Sequence, residues 1–196
     1  MYKLILASRN KNKIEEMKQL VAHLGIDVFS ALDFPDLEEV EEDKPTLEGN
    51  ALKKARYVNQ QTGIPALSDD TGLEVEALDG APGVFSARYA GENASYQDNV
   101  LKLLDALKGK ENRAAQFRTV VALVDGNQEW TFEGVCKGKI IEDQIGKKGF
   151  GYDPIFMPDE FAETFAQMDP NIKNLISHRG KAVQRFLEFL EEEELG

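Results

Sequence analysis

The chain has 196 residues, 42% hydrophobic and 30% charged, with 35 acidic residues against 23 Lys and Arg and a net charge of −12. That length and apolar content predict one compact unit with a substantial core, two lobes around a cleft, and argue against a disordered class. The acidic balance disfavours nucleic acid as a main partner, Cys136 alone excludes an intrachain disulfide framework or a cysteine-rich zinc site, and His23 and His178 alone exclude a multi-histidine metal centre.

The chain opens at Met1-Tyr2-Lys3 directly into a strand, and no apolar run approaches a membrane span or a signal segment. A cytoplasmic protein with no membrane partner is the expectation. Leu4-Ile5-Leu6-Ala7 reads as a central strand. The polar turn Ser8-Arg9-Asn10-Lys11-Asn12-Lys13 follows at once, and Ile14, Met17, Leu20, Val21 and Leu24 then recur at helical spacing. Ser8 or Asn10 is available to cap that helix. Its N-terminal N–H groups, flanked by Lys and Arg, make a phosphate site or else a solvated first turn. No Walker loop occurs anywhere in the chain.

Asp27 to Ser30 reads as a second strand, and Asp33 to Asp43 as an acidic loop carrying Glu38, Glu39, Glu41 and Glu42. Leu47, Ala51, Leu52, Ala55 and Val58 form a helical stripe capped by Thr46 and ending at Thr62-Gly63. Ile64-Pro65-Ala66-Leu67 is read as a buried strand that ends at Ser68-Asp69-Asp70-Thr71-Gly72, with Gly72 turning the backbone. Adjacent residues of an extended chain face opposite ways. One of Asp69 and Asp70 is therefore expected to bond into the scaffold while the other faces a cleft. A carboxylate at such a strand end suits a hard metal or a reacting water; the alternative is an Asp-rich turn satisfying its own backbone.

Leu73, Val75 and Ala77 alternate with Glu74 and Glu76 as a half-exposed strand, and Gly80-Ala81-Pro82-Gly83 makes a tight turn. Ser86 to Gly91 places Arg88 beside an aromatic; Asn99, Val100, Leu103, Leu104 and Leu107 mark a further amphipathic helix. Ala115 to Leu123 alternate as a long strand, and a meander continues through Trp130, Phe132 and Val135 to Ile141, so the sheet is mixed. In Gly149-Phe150-Gly151-Tyr152-Asp153-Pro154, the flanking glycines leave the Phe150 ring uncovered for stacking. Asp153, before a proline, is expected extended as a fixed acceptor. The alternative is a hairpin whose aromatics plug the core. His178 and Arg179 open the last helix behind Ser177, where cations oppose the macrodipole unless an anion or acceptor sits there.

Four segments stand together: Ser8-x-Asn10-x-x-Lys13, Ser68 to Leu73, Gly149 to Pro154, and Ser177-His178-Arg179, with Gly80 to Tyr89 between them. In this order they resemble the inosine triphosphate pyrophosphatase family, in its bacterial branch, over nearly the whole chain. The resemblance implies an α/β fold with a mixed, elongated central sheet flanked by helices, two lobes around a deep active-site cleft, and a single domain over 1–196. It implies hydrolysis of ITP, dITP or XTP to the monophosphate and pyrophosphate, with Mg²⁺ as cofactor, a purine nucleoside triphosphate as substrate and a homodimer as the assembly. Ser8, Arg9, Asn10, Lys11, Asn12 and Lys13 look like the triphosphate-binding turn. Asp70 matches the catalytic carboxylate, general base and metal ligand at once; Glu42 falls where the other metal carboxylate lies, and Thr71 matches a substrate contact. Phe150, Gly151, Tyr152 and Asp153 look like the base-binding segment, with Lys173, His178 and Arg179 as the remaining contacts. Gly49 stands where many relatives have an acidic residue; either Glu48 substitutes for it or that charge is dispensable.

The residues suit that chemistry on their own. Cleavage at the α-phosphorus needs an attacking water, a metal and cations for the leaving pyrophosphate. Asp70 is expected to orient or deprotonate the water, Lys13 and Lys54 to counter the phosphates, and Arg179 to donate to O6 of the base. Aspartyl-phosphate phosphatases also use a strand-end carboxylate but need two Asp separated by one residue, a spacing that Asp69-Asp70 lacks. A non-catalytic nucleotide sensor is the other alternative, and turnover separates it.

Overall fold

A computed structural model describes residues 2–194. Among them the sheet has seven strands in the order β2-β1-β3-β5-β6-β7, with β4 added to β3. They are β1 (Lys3–Leu6), β2 (Asp27–Ser30), β3 (Ala66–Val75), β4 (Pro82–Gly83), β5 (Ala114–Asp125), β6 (Gln128–Ile140) and β7 (Phe156–Pro158). The helices are α1 (Lys11–Val21), α2 (Leu47–Thr62), α3 (Tyr96–Ala106), α4 (Pro170–Ile176) and α5 (His178–Glu194). β1 pairs in parallel with β2 and β3, while β4 and β7 pair antiparallel with β3 and β6, so the sheet is mixed. Among the described residues no helix is long and apolar enough to cross a membrane.

The chain forms two compact units. The first holds the chain up to Asp70, Thr119–Gly134 and the chain from Arg179; the second holds Thr71–Arg118 and Val135–His178. In the first, Leu4, Leu6 and Leu67 of the strands pack with Ile14, Met17 and Val21 of α1 and with Ala182, Val183 and Phe186 of α5. Burying each of the larger side chains stabilises the fold by about 1.5–3 kcal/mol before entropy is counted. The strand residues on the alternate face meet α2, where the Ser68 hydroxyl donates to the Ala51 carbonyl. In the second unit, Leu73, Val75, Ala115 and Phe117 pack with Val100 and Leu103 of α3 and with Phe156 and Phe165.

The structure differs from three local expectations. The strand does not end at Ser68: β3 runs unbroken through Asp69, Asp70 and Gly72 to Val75. Gly72 is not a turn residue. A Cβ there would lie 2.7 Å from the Gly83 carbonyl oxygen, so glycine is required by the close approach of β4. Asp153 is not extended either; it opens a 3₁₀ turn, Asp153–Ile155, with Pro154 in its first positions, where a missing N–H is tolerated. The helix α4 was not read from the sequence, its seven residues being too few to show a period.

Candidate active site

The first unit gathers its charges around β3. The pleat sends Asp69 and Asp70 to opposite faces. Asp69 meets α1 and α5: its Oδ2 lies 3.3 Å from Lys13 Nζ and accepts hydrogen bonds from Arg179 Nε at 3.3 Å and Nη2 at 3.1 Å. Arg179 also donates from Nη1 to Glu16, one helical turn beyond Lys13 on α1. Burial pushes the Asp69 carboxyl up, but Lys13, then Arg179 and Lys54, with the Arg179 hydrogen bonds, hold it well below the usual carboxylate range. Burial weakens the charge on Arg179, while Asp69 and Glu16 outweigh it and raise its pKa. These acceptors answer the macrodipole conflict at the start of α5.

Asp70 faces the other way, toward α2. Burial pushes its carboxyl up to about 6; Lys54 opposes that rise, Glu42 adds to it, Lys13 opposes and Asp69 adds. Glu42 is held by the ammonium of Lys54, which also donates to the Asp69 carbonyl at 2.6 Å. Burial raises the Glu42 carboxyl, yet Lys54 and Lys13 bring it below its ordinary value. The loop carrying Glu42 is tied at several points. Arg9 donates to the Leu37 carbonyl, Glu38 N to the Tyr57 hydroxyl at 2.9 Å, and Lys53 to the Glu41 carbonyl at 2.7 Å. Buried Asn50 exchanges both hydrogen bonds with the Lys44 backbone.

The phosphate turn of the sequence reading is the entry to α1. Asn10, not Ser8, is the cap, its Oδ1 accepting from Asn12 N at 3.0 Å and Lys13 N at 3.3 Å; Ser8 Oγ accepts from Asn10 N. Lys11 and Asn12 are exposed, and Arg9 is spent on the acidic loop.

The second unit holds the other cluster. Phe150, half-buried, lies 5.9 Å centroid to centroid from Tyr96, and Lys173 Nζ stands 5.4 Å from the Phe150 ring. Lys173 is paired with Asp153 at 2.8 Å. Tyr152 turns inward and donates its hydroxyl to the Ser86 carbonyl at 2.7 Å; burial raises its pKa. His178 is buried and stacks on Phe117, ring centroids 4.5 Å apart and planes at 18°. Thr71 is half-buried, and Gly151 adopts a left-handed backbone with φ +62.

The Ham1 family model matches residues 4–189 of this chain. The chain belongs to the Ham1 family. It is 49% identical over 188 residues to a dITP/XTP pyrophosphatase of Flavobacterium johnsoniae, covering 96% of this chain and 97% of that one. A dITP/XTP pyrophosphatase of Desulforamulus reducens is 48% identical over 191 residues, 96% of this chain and 95% of that protein. The solved structure of a HAM1 protein from Coxiella burnetii superposes with a TM-score of 0.90 at 42% identity, covering 98% of this chain and all of that one.

Within this Ham1 chain, Lys13, Glu42, Lys54, Asp70 and Arg179 belong to one unit and Thr71, Phe150, Gly151, Tyr152, Asp153, Lys173 and His178 to the other. Glu48 is exposed on the first turn of α2. At Gly49, a Cβ would lie 2.9 Å from Lys44 Cβ and 3.0 Å from the capping Thr46 hydroxyl, so the helix entry favours glycine there. Glu16 and Asn50 escaped the sequence reading. The three-residue step from Lys13 to Glu16 puts both on one helical face and was a usable signal; nothing local announced Asn50.

Proposed function

We propose that this chain is a nucleoside-triphosphate pyrophosphatase that cleaves ITP, dITP and XTP to the monophosphate and pyrophosphate. The observation that carries the reading is the nearly end-to-end match, at 49% identity, to a dITP/XTP pyrophosphatase. The first unit's residues suit the triphosphate end of such a substrate. Burial raises the metal-free Asp70 carboxyl to about 6, nearer neutral pH than an ordinary carboxylate, which strengthens it as a proton acceptor. It takes a proton from the water whose oxygen bonds to the α-phosphorus, while the bond from that phosphorus to the β-bridging oxygen breaks and pyrophosphate leaves with the electron pair. Lys13 and Lys54, paired with Asp69 and Glu42 in the free protein, are the counterions for the phosphates.

Glu42 and Asp70 fit a magnesium ion. Both are hard oxygen donors; burial pushes the Asp70 carboxyl up and the charge on Glu42 adds to the rise, a conflict that a divalent cation would relieve. One or two carboxylates plus substrate phosphates is the usual protein share of a magnesium site. When bound, the ion neutralises phosphate oxygens and acidifies the attacking water.

The second unit's cluster suits the base. Phe150 offers a ring for stacking. Arg179 was expected to donate to O6, but its guanidinium is 2% exposed and engaged by Asp69 and Glu16. We assign O6 to Lys173, which is as buried and as firmly paired as Arg179 but stands 5.4 Å from the Phe150 ring proposed to stack the base. Adenine carries an amino donor at that position and leaves such a donor unpaired. A homodimer and a cytoplasmic location belong to the same reading on the resemblance alone. The test is pyrophosphate release from ITP, XTP, ATP and GTP with Mg²⁺. ITP and XTP should exceed ATP by on the order of 10²–10⁴ in kcat/KM; equal rates on all four overturn the reading.

A further inference from the structure

One oxygen of Asp153 is engaged twice. Its Oδ2 accepts from the Phe150 amide at 2.9 Å and from Lys173 Nζ at 2.8 Å. Asp153 and Lys173 are 4% and 5% exposed. The ammonium is bracketed by rings, 5.4 Å from the Phe150 centroid and 5.6 Å from that of Phe165. An ammonium so far from water is held there by its carboxylate and by the ring faces. The fit around that oxygen is close. A Cβ on Gly149, itself at φ +69, would run into Asp153 Oδ2. Glycine is thus required at 149 on two counts, left-handed backbone and contact with the carboxylate.

We propose that Asp153 is a positioning residue: it sets the Phe150 ring and the Lys173 ammonium as a single preassembled pair and reaches the purine only through them. The proposal rests on the pyrophosphatase reading and deepens it. The sequence makes Asp153 a fixed acceptor in a segment that the resemblance gives to the base. The geometry assigns it differently, because its Oδ2 is already shared between the loop that carries the ring and the cation that meets the base. Preorganisation of this kind acts on substrate affinity, since the loop and the ammonium need not be ordered when the nucleotide arrives. The proton transfer is assigned to Asp70, a residue of the other unit. Loss of Asp153 should therefore appear in KM and in base discrimination, with kcat nearly unchanged.

A double-mutant cycle on the full chain tests this. The wild type, Asp153→Asn, Lys173→Met and the double variant are assayed for KM and kcat with ITP and with ATP, and melted to keep unfolding apart from mispositioning. Each single variant should raise KM for ITP by about tenfold to a hundredfold, the scale of one charged hydrogen bond. The double variant should be no worse than Lys173→Met within about threefold, because both changes disable the same ammonium. Effects that multiply in the double variant would mean that Asp153 meets substrate independently, and overturn the proposal. So would an equal fall in kcat with KM unmoved. Gly149→Ala attacks the same contact without altering a charge, and serves where Asp153→Asn does not fold. It should raise KM for ITP in the same way; a wild-type KM in that variant contradicts the proposal. The wild-type assay separates the two levels of the argument. No pyrophosphate from ITP in the wild type overturns the pyrophosphatase reading and the proposal with it, whereas an active wild type with a multiplicative cycle overturns the proposal alone.

Discussion

The two faces of β3 hold neighbouring carboxylates in opposite circumstances. Toward α1 and α5, Asp69 is met by Lys13 and Arg179, and Arg179 is shared in turn with Glu16. Toward α2, Asp70 competes with Glu42 for the influence of Lys54 and is pushed up to about 6. Both side chains are equally hidden from solvent, so burial does not separate them. The difference is the number of cations each face supplies, and the pleat alone decides which residue gets which face. A strand can thus put a paired and a perturbed carboxylate at consecutive positions, one stabilising the unit and the next carrying a charge that the fold tolerates at a cost.

The largest expected effect breaks the reactive side. Asp70→Asn keeps shape and removes the proposed base, and on that proposal kcat for ITP should fall by about 10²–10⁴. A pyrophosphate-release rate within threefold of wild type would remove Asp70 from the chemistry. On the anchoring side, Asp69→Asn leaves Lys13 and buried Arg179 short of a carboxylate, which should destabilise the protein by about 3–5 kcal/mol in urea titration. A loss under about 1 kcal/mol would show that the ion-pair network does not hold these helices to the strand.

Acid titration sharpens the contrast, because the two residues should respond with opposite sign. The metal-free Asp70 carboxyl, about 6 in the fold against an ordinary 3.8, keeps its proton across that window in the folded state. Its stabilising contribution is therefore present below the ordinary value and lost as pH rises through about 6. Asp69 is lowered instead, so its contribution is present above the ordinary value and lost as pH falls toward the folded one. It follows that Asp70→Asn should be more stable than the wild type at pH 7.5 by about 2–3 kcal/mol. Its stability should also lose the decline between pH 4 and 6. Thermal unfolding without Mg²⁺ across that range checks both points, and identical slopes in the two proteins would contradict them.

The smallest effect is a control from the surface of the same unit. Arg56 and Glu129 form a two-point pair at 2.6 and 2.7 Å, but both are largely in water. Arg56→Ala should shift stability by less than about 1 kcal/mol, and by less again in high salt. A loss as large as that of Asp69→Asn would mean that burial is not what gives the β3 network its weight.

Much of the fold was legible because it rests on periodicity. The apolar steps of α1, α2 and α3 and the alternation in β5 follow directly from which face meets a core, and Thr46 and Asn10 cap as their side chains allow. The unbroken course of β3 was not legible. A glycine after two aspartates reads as a turn, and the strand β4 that forbids a side chain at Gly72 is remote information. The site was legible as a set of residue types and less so as partners. That one aspartate of the pair would bond into the scaffold follows from the pleat; that its partners are Lys13 and Arg179, and that Glu16 completes them, depends on how α1 and α5 lie on the strand. Tyr152 and Asp153 sit side by side in one motif, yet one donates into the core and the other clasps Lys173. Nothing in a linear motif separates a residue that touches a ligand from one that holds its neighbour.

Hydrolysis of ITP in water enriched in oxygen-18, with Mg²⁺ present and the products separated by mass, tests the central claim most directly. Attack at the α-phosphorus predicts inosine monophosphate carrying one heavy oxygen and pyrophosphate carrying none. Label in pyrophosphate, or inosine diphosphate with labelled orthophosphate, would contradict the account.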